Sequence, residues 1–69
     1  MDISSKIRLA ASYKGISEAE LARRLDVTPS AFNQRLKTGK FSSEDLDRIA
    51  AALGARYDCF FEFPDGQKI

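Results

Sequence analysis

The stretch Ile16-Ser-Glu-Ala-Glu-Leu-Ala-Arg-Arg-Leu-Asp-Val-Thr-Pro-Ser-Ala-Phe-Asn-Gln-Arg-Leu-Lys37 writes out a helix, a tight turn and a second helix. Ser17 is an N-cap, and Glu20 three residues later predicts a capping box. Leu21, Ala22 and Leu25 repeat at helical spacing, and the helix is expected to stop near Asp26. Thr28 caps the next helix, with Pro29 at the first helical position, where the missing N–H costs nothing. Phe32 and Leu36 give that helix an apolar stripe one turn apart. Ser30, Asn33, Gln34 and Lys37 are left on its outward side. A short helix presenting hydroxyls, amides and cations, held to its neighbour by a brief turn, suits the DNA major groove.

Around this centre the pattern is helical from the start of the chain. Ile3, Ile7, Ala10 and Ala11 share one face of a first helix, roughly residues 3 to 14, with Gly15 as its stop. Leu9 and Tyr13 are one turn apart on another side, a surface pair or a small contact surface. Thr38-Gly39-Lys40-Phe41 reads as a loop, with Phe41 a plug under the bundle. Ser42 and Ser43 open a further helix whose first turn carries Glu44 and Asp45, favourable at its positive end. Leu46, Ile49, Ala50 and Leu53 form its buried stripe, and Gly54 ends it.

Beyond residue 55 the character changes. Tyr57-Asp-Cys-Phe-Phe-Glu-Phe63 is rich in strand-forming aromatics, with Tyr57, Cys59, Phe61 and Phe63 on one face if extended. Pro64-Asp65-Gly66 is a turn signal, after which residues 67 to 69 can return as a very short strand. A lone hairpin is barely stable in water. This one is expected to lie on the helices, to pair with a second chain, or both. The fold expectation is therefore mainly α: four to five helices in residues 1–55, and a short C-terminal β-strand or hairpin in residues 56–69.

Composition narrows the function. The chain has 69 residues, one cysteine and no histidine, so no intrachain disulfide or common metal-ligand spacing exists. Met1 to Ser5 is not followed by an apolar signal-peptide core, and no apolar run is long enough to span a membrane; a cytoplasmic location is expected. The net charge is only +1, yet the charges are segregated. Residues 27–43 hold Arg35, Lys37 and Lys40 and no acid, while acids gather in Glu44, Asp45, Asp47, Asp58, Glu62 and Asp65. A basic face matters more to an anionic partner than the sum does. Catalysis is not expected. Cys59 sits among aromatics and acids that disfavour a thiolate, and Asp45 and Asp47 are not neighbours on a helix face. No cofactor or metal is expected.

These residues resemble the Cro/C1-type helix-turn-helix family of phage and bacterial repressors. Gly15-Ile16-Ser17 and Glu20-Leu21-Ala22-Arg23-Arg24-Leu25 are similar to the family's second helix, and Val27-Thr28-Pro29-Ser30 to the entry of its recognition helix. Gly39-Lys40 and Ile49-Ala50-Ala51-Ala52-Leu53-Gly54 are similar to its later loop and fourth helix. The likeness covers roughly residues 3 to 54. It implies a lambda-repressor-like bundle that binds operator DNA as a homodimer and regulates transcription. In three places this chain differs. Glu18 stands where the family often has glutamine, and a carboxylate there needs a neutralising arginine, for which Arg35 is the candidate. An apolar residue often stands at the Arg35 position, whereas here Leu36 takes that part. The aromatic tail lies beyond the common core, though some small members end in a strand that pairs across the dimer.

The candidate site follows. Asn33 and Gln34 can each grip adenine by two hydrogen bonds, and Ser30 can reach a base edge. Thr28, Arg23, Arg35, Lys37 and Lys40 are the candidate contacts to the DNA backbone. Of Arg23 and Arg24, one is expected at the backbone and the other paired with Glu20 or Asp26. Tyr57, Cys59, Phe60, Phe61 and Phe63 are the candidate dimer interface. The alternative is an antitoxin-like or other protein-interaction module that uses the aromatic tail on a protein partner.

Overall fold

The computed structural model of the chain describes residues 2–58 and 61–69. Four helices follow in order: α1 (Ile3–Tyr13), α2 (Glu18–Arg24), α3 (Pro29–Thr38) and α4 (Ser43–Ala52). Each begins on a polar side chain that accepts the N–H of the third residue on: Asp2 from Ser5 at 2.8 Å, Ser17 from Glu20, Thr28 from Ala31 and Ser42 from Asp45, each at 3.1 Å. These bonds satisfy donors that a helix leaves open at its start. At α4 the box closes reciprocally, because Asp45 Oδ2 accepts the Ser42 N–H at 2.9 Å. The box expected at α2 does not: the Glu20 carboxylate turns instead to Arg23 and Arg24. Glutamate is long enough to reach the next turn, where two guanidinium groups compete for it.

Three helix ends share one design. After α1, α2 and α4 the chain enters a left-handed residue, and the two N–H groups that follow the cap bond back into the last turn. After α2, Asp26 N–H reaches Arg23 O and Val27 N–H reaches Ala22 O, both at 3.0 Å. Glycine takes the left-handed position after α1 and α4, but after α2 it is Asp26, at φ 63°.

The core lies where α2 is surrounded. Leu21 and Ala22 are completely buried, between Ile7 and Ala11 of α1, Phe32 and Leu36 of α3, and Ile49 and Leu53 of the α4 region. Leu25, Phe41 and Leu46 close its edges, half-buried. Phe41 thus plugs the bundle as expected. The α1 stripe is phased differently from the apolar lettering. Ala10 is exposed, and the face turned inward is Ser4, Ile7 and Ala11. A serine can occupy that face because its hydroxyl has a partner there, as described below.

The tail folds back on itself only briefly. Among the described residues no strand forms. One antiparallel bridge joins Glu62 to Lys68. Phe63 N–H donates to Gln67 O at 2.7 Å, Ile69 N–H donates to Phe61 O at 2.6 Å, and Phe61 N–H donates back to Ile69 O. The chain reverses at Pro64-Asp65-Gly66, where Asp65 Oδ1 accepts the Gln67 N–H at 2.9 Å. Tyr57 is half-buried and residues 61–69 are exposed. Cys59 and Phe60, two of the candidate interface residues, lie outside the described residues. No helix among the described residues is long and apolar enough to cross a membrane.

Candidate nucleic-acid interface

The second and third helices are joined by Leu25, Asp26, Val27 and Thr28, and α3 is fastened from beneath. Phe32 is 2 % exposed and Leu36 3 %. With those two rows inward, Ser30, Gln34 and Lys37 are exposed and Asn33 is half-buried. The structure therefore brings three of the four outward residues into open solvent on one helix, with Asn33 at its margin. Gly39 ends α3 at φ 69°, and its N–H bonds Arg35 O at 2.9 Å. That turn places Lys40 directly after the helix. Lys37 and Lys40 have no side-chain partner among the described residues, so their charges are available.

The arginines are distributed differently. Arg23 Nη1 lies 2.5 Å from Glu20 Oε1, and Arg24 Nε 3.3 Å from Glu20 Oε2. Arg24 also donates to the Ala52 carbonyl at 3.0 Å, fastening α2 to the end of α4. Neither pairs with Asp26. Arg23 is the more exposed, 72 % against 46 %, and an exposed pair of this kind holds weakly enough to exchange for another anion.

Arg35 is not the partner of Glu18. Its guanidinium contacts Asp45 and lies 5.4 Å over the Phe41 ring. Glu18 is held instead by Arg8 of α1, with Nε 2.9 Å from Oε1. The reason lies in the phase of α3. With Phe32 and Leu36 facing α2, residue 35 points towards α4, away from the first turn of α2. Arg35 thus spends its charge within the fold, and the departure at positions 35 and 36 becomes a brace between α3 and α4.

Asp45 is the anchor of that brace. The Ser42 N–H and hydroxyl hold its carboxylate charged, with the Arg35 guanidinium adding to them against partial desolvation, and its pKa falls to about 2. Arg48 approaches its other oxygen at 3.2 Å. At neutral pH this carboxylate is therefore covered by cations and adds little negative field beside α3.

Sequence reasoning named the outward residues of α3 but not Arg8, Arg24 or Asp45 as supports. Each acts across at least ten positions of chain, which no local spacing reports. Chemically, the assembled surface is a polar helix that carries Lys37 in its last turn and is followed by Lys40, both without a side-chain partner among the described residues. It offers hydrogen-bond donors and acceptors at Ser30, Asn33 and Gln34 and positive charge at Lys37 and Lys40. Comparison with known proteins finds no family model, no curated protein and no solved structure that matches this chain.

Proposed function

We propose that the chain is a sequence-specific DNA-binding transcriptional regulator, a Cro/C1-type repressor in its resemblance, acting in the cytoplasm. In this reading α2 and α3 form a helix-turn-helix, and α3 lies in the major groove of operator DNA. The observation that carries it is the facing of α3: Phe32 and Leu36 are buried while Ser30, Gln34 and Lys37 are exposed on an acid-free stretch. Gln34 and Asn33 read base edges, Ser30 assists, and Lys37, Lys40, Thr28 and Arg23 meet phosphates. Arg35 contributes by holding α3 rather than by touching DNA. One such helix reads too few base pairs for useful specificity, so two copies act together. The tail, proposed as a short β-hairpin, supplies the contact between them.

The exposed Phe61, Phe63 and Ile69 also fit a different protein partner, as in an antitoxin. Salt separates the two. Binding to DNA releases counterions, so log K falls by roughly 0.9 per phosphate neutralised for each decade of salt. Contact through aromatic rings responds little. The deciding experiment is selection of DNA sites from a random pool by the purified protein at two salt concentrations. Enrichment of one motif, weakened steeply by salt, supports the DNA reading. A pool that stays random at both concentrations overturns it.

A further inference from the structure

Arg8 holds Glu18 by one nitrogen. Its Nε donates to Glu18 Oε1 at 2.9 Å, and both side chains are more than two-fifths exposed. An arginine that grips a carboxylate fully uses two parallel N–H bonds. Here the terminal amino groups, Nη1 and Nη2, have no hydrogen-bond partner among the described residues. They remain donors for a second anion. Arg8 lies one helical turn after Ser4, on the same side of α1. The Ser4 hydroxyl donates to the carbonyl of Leu36, which lays that side of α1 against the end of α3. As a result Arg8 lines one open cleft together with Lys37 and Gly39. Lys37 is exposed and has no side-chain partner among the described residues. Two carboxylates adjoin this cleft. Asp2 also lines it, but caps α1, where it accepts the Ser5 N–H and meets the positive end of the helix. Glu18 is taken by Arg8 itself. Arg8, Lys37 and Lys40, which follows Gly39, outnumber them.

We propose that Arg8 is a further contact to the DNA backbone: its terminal amino groups bind a phosphate oxygen in the cleft it shares with Lys37, while Glu18 keeps hold of Nε. The inference rests on the DNA-binding reading above and adds α1 to the elements that touch the duplex. Arg8 differs in this from Arg35, whose guanidinium is spent on Asp45 and on the Phe41 ring. It also gives the carboxylate of Glu18 a place beside DNA. A lone acid there would repel phosphates, whereas an acid that carries an arginine on its outer side presents donors to them. Because the Arg8–Glu18 pair is exposed, it costs little to adjust when the phosphate arrives. The rival role is purely internal: Arg8 joins α1 to α2 and screens Glu18, with nothing beyond.

The two roles separate in a double-mutant cycle read by salt. Fluorescence anisotropy of the full chain on a random-sequence duplex, over a series of salt concentrations, compares wild type, Arg8→Gln, Glu18→Gln and the double variant. Random DNA keeps base reading by α3 out of the measurement. Phosphate contact by Arg8 predicts that Arg8→Gln binds more weakly, with a slope of log K against log salt shallower by about one unit. Glu18→Gln keeps the wild-type slope. The double variant keeps the full deficit of Arg8→Gln, because removing the acid does not replace the lost contact. A double variant that returns to wild-type slope and affinity shows that Arg8 only screens Glu18, and overturns the proposal. So does an Arg8→Gln slope equal to wild type. A wild type that binds no DNA fails the function proposed above and takes this inference with it; a wild type that binds, with a slope indifferent to Arg8, fails this inference alone. Circular dichroism checks each fold, and Arg8→Met replaces Arg8→Gln if that variant has lost its helices.

Discussion

The hydroxyl of Ser4 in the first turn of α1 donates to the carbonyl oxygen of Leu36 in the last turn of α3, at 2.6 Å. Ser4 is the one polar residue buried among the described residues. Leu36 O is one of the carbonyls a helix leaves open at its C-terminus, because Lys40 N–H, its helical partner by spacing, turns to Thr38 Oγ1 at 3.4 Å. The contact fixes where α3 ends relative to α1. We predict that Ser4→Ala, which leaves that carbonyl buried without a donor, lowers stability by about 1–3 kcal/mol. Ser4→Cys, with a weak donor of similar size, falls between. Urea unfolding measures both, and an unchanged midpoint for Ser4→Ala shows that water serves the carbonyl equally well.

The contrast between that bond and the helix starts shows what a sequence can carry. Ser17, Thr28 and Ser42 act on a backbone N–H three residues away, so their effect is written locally. The Phe32 and Leu36 stripe likewise determines the outward face of α3, and with it most of the candidate site. Ser4 and Leu36 are 32 positions apart, and a serine among isoleucines and alanines reads as outward until its partner is known. The pairs Arg8–Glu18 and Arg35–Asp45 are each ten apart. Assigning Glu18 to Arg35 placed the right need on the wrong arginine, since the relative rotation of α1, α3 and α4 is a tertiary property. The tail is legible as aromatic and turning, and among the described residues its pairing amounts to one bridge; a hairpin without a covering layer has little to hold it.

Asp26 yields a second prediction. It holds the left-handed position that Gly15 and Gly54 hold after the neighbouring helices. A side chain there crowds the backbone, and a carboxylate also meets the negative end of α2. Aspartate tolerates the position better than most residues. Asp26→Gly is expected to be at least as stable as wild type, and Asp26→Ala less stable than Asp26→Gly by about 1 kcal/mol. Thermal melts of the three proteins give the order directly. An alanine variant that melts above the glycine variant contradicts the strain assigned to this turn.

Acid should loosen the Ser42–Asp45 capping box of α4, and with it the brace to Arg35, in a defined window. The Asp45 carboxyl ionises near its usual value, about 3.8, in the unfolded chain, and at about 2 in the fold. A depressed pKa stabilises the folded state above the unfolded value and loses that contribution as pH falls through the folded value. The advantage of wild type over Asp45→Asn is therefore complete above about pH 4, shrinks between pH 4 and 2, and is gone below that. Melting temperatures of the pair across this range test it. A constant difference between the two proteins places the contribution in packing rather than in charge.

If α3 reads bases, its exposed amide does so without holding the fold. Gln34→Ala is expected to reduce affinity for the selected site by about 1–3 kcal/mol and to leave binding to random DNA almost unchanged. Its melting temperature should stay near that of wild type, since the side chain is exposed and the helix gains alanine. Fluorescence anisotropy on selected and scrambled duplexes measures the two affinities. Equal losses on both remove Gln34 from the reading set.

Lys37 and Arg35 lie two positions apart on α3 and should behave oppositely. Lys37 has no partner among the described residues, so its charge is free to displace a counterion from phosphate. Lys37→Ala is expected to weaken binding to every sequence and to make the salt dependence shallower by about one unit of slope, with the melting temperature unchanged. Arg35 is already held by Asp45 and stacked on Phe41. Releasing it to reach DNA would forfeit both contacts and expose the Asp45 charge beside the phosphates. Arg35→Ala should therefore lower the melting temperature and leave the salt slope of specific binding close to that of wild type. The two variants thus exchange effects: one loses slope and keeps stability, the other keeps slope and loses stability. A salt slope that falls by a full unit in Arg35→Ala would return Arg35 to the DNA backbone and require the Asp45 contact to break on binding.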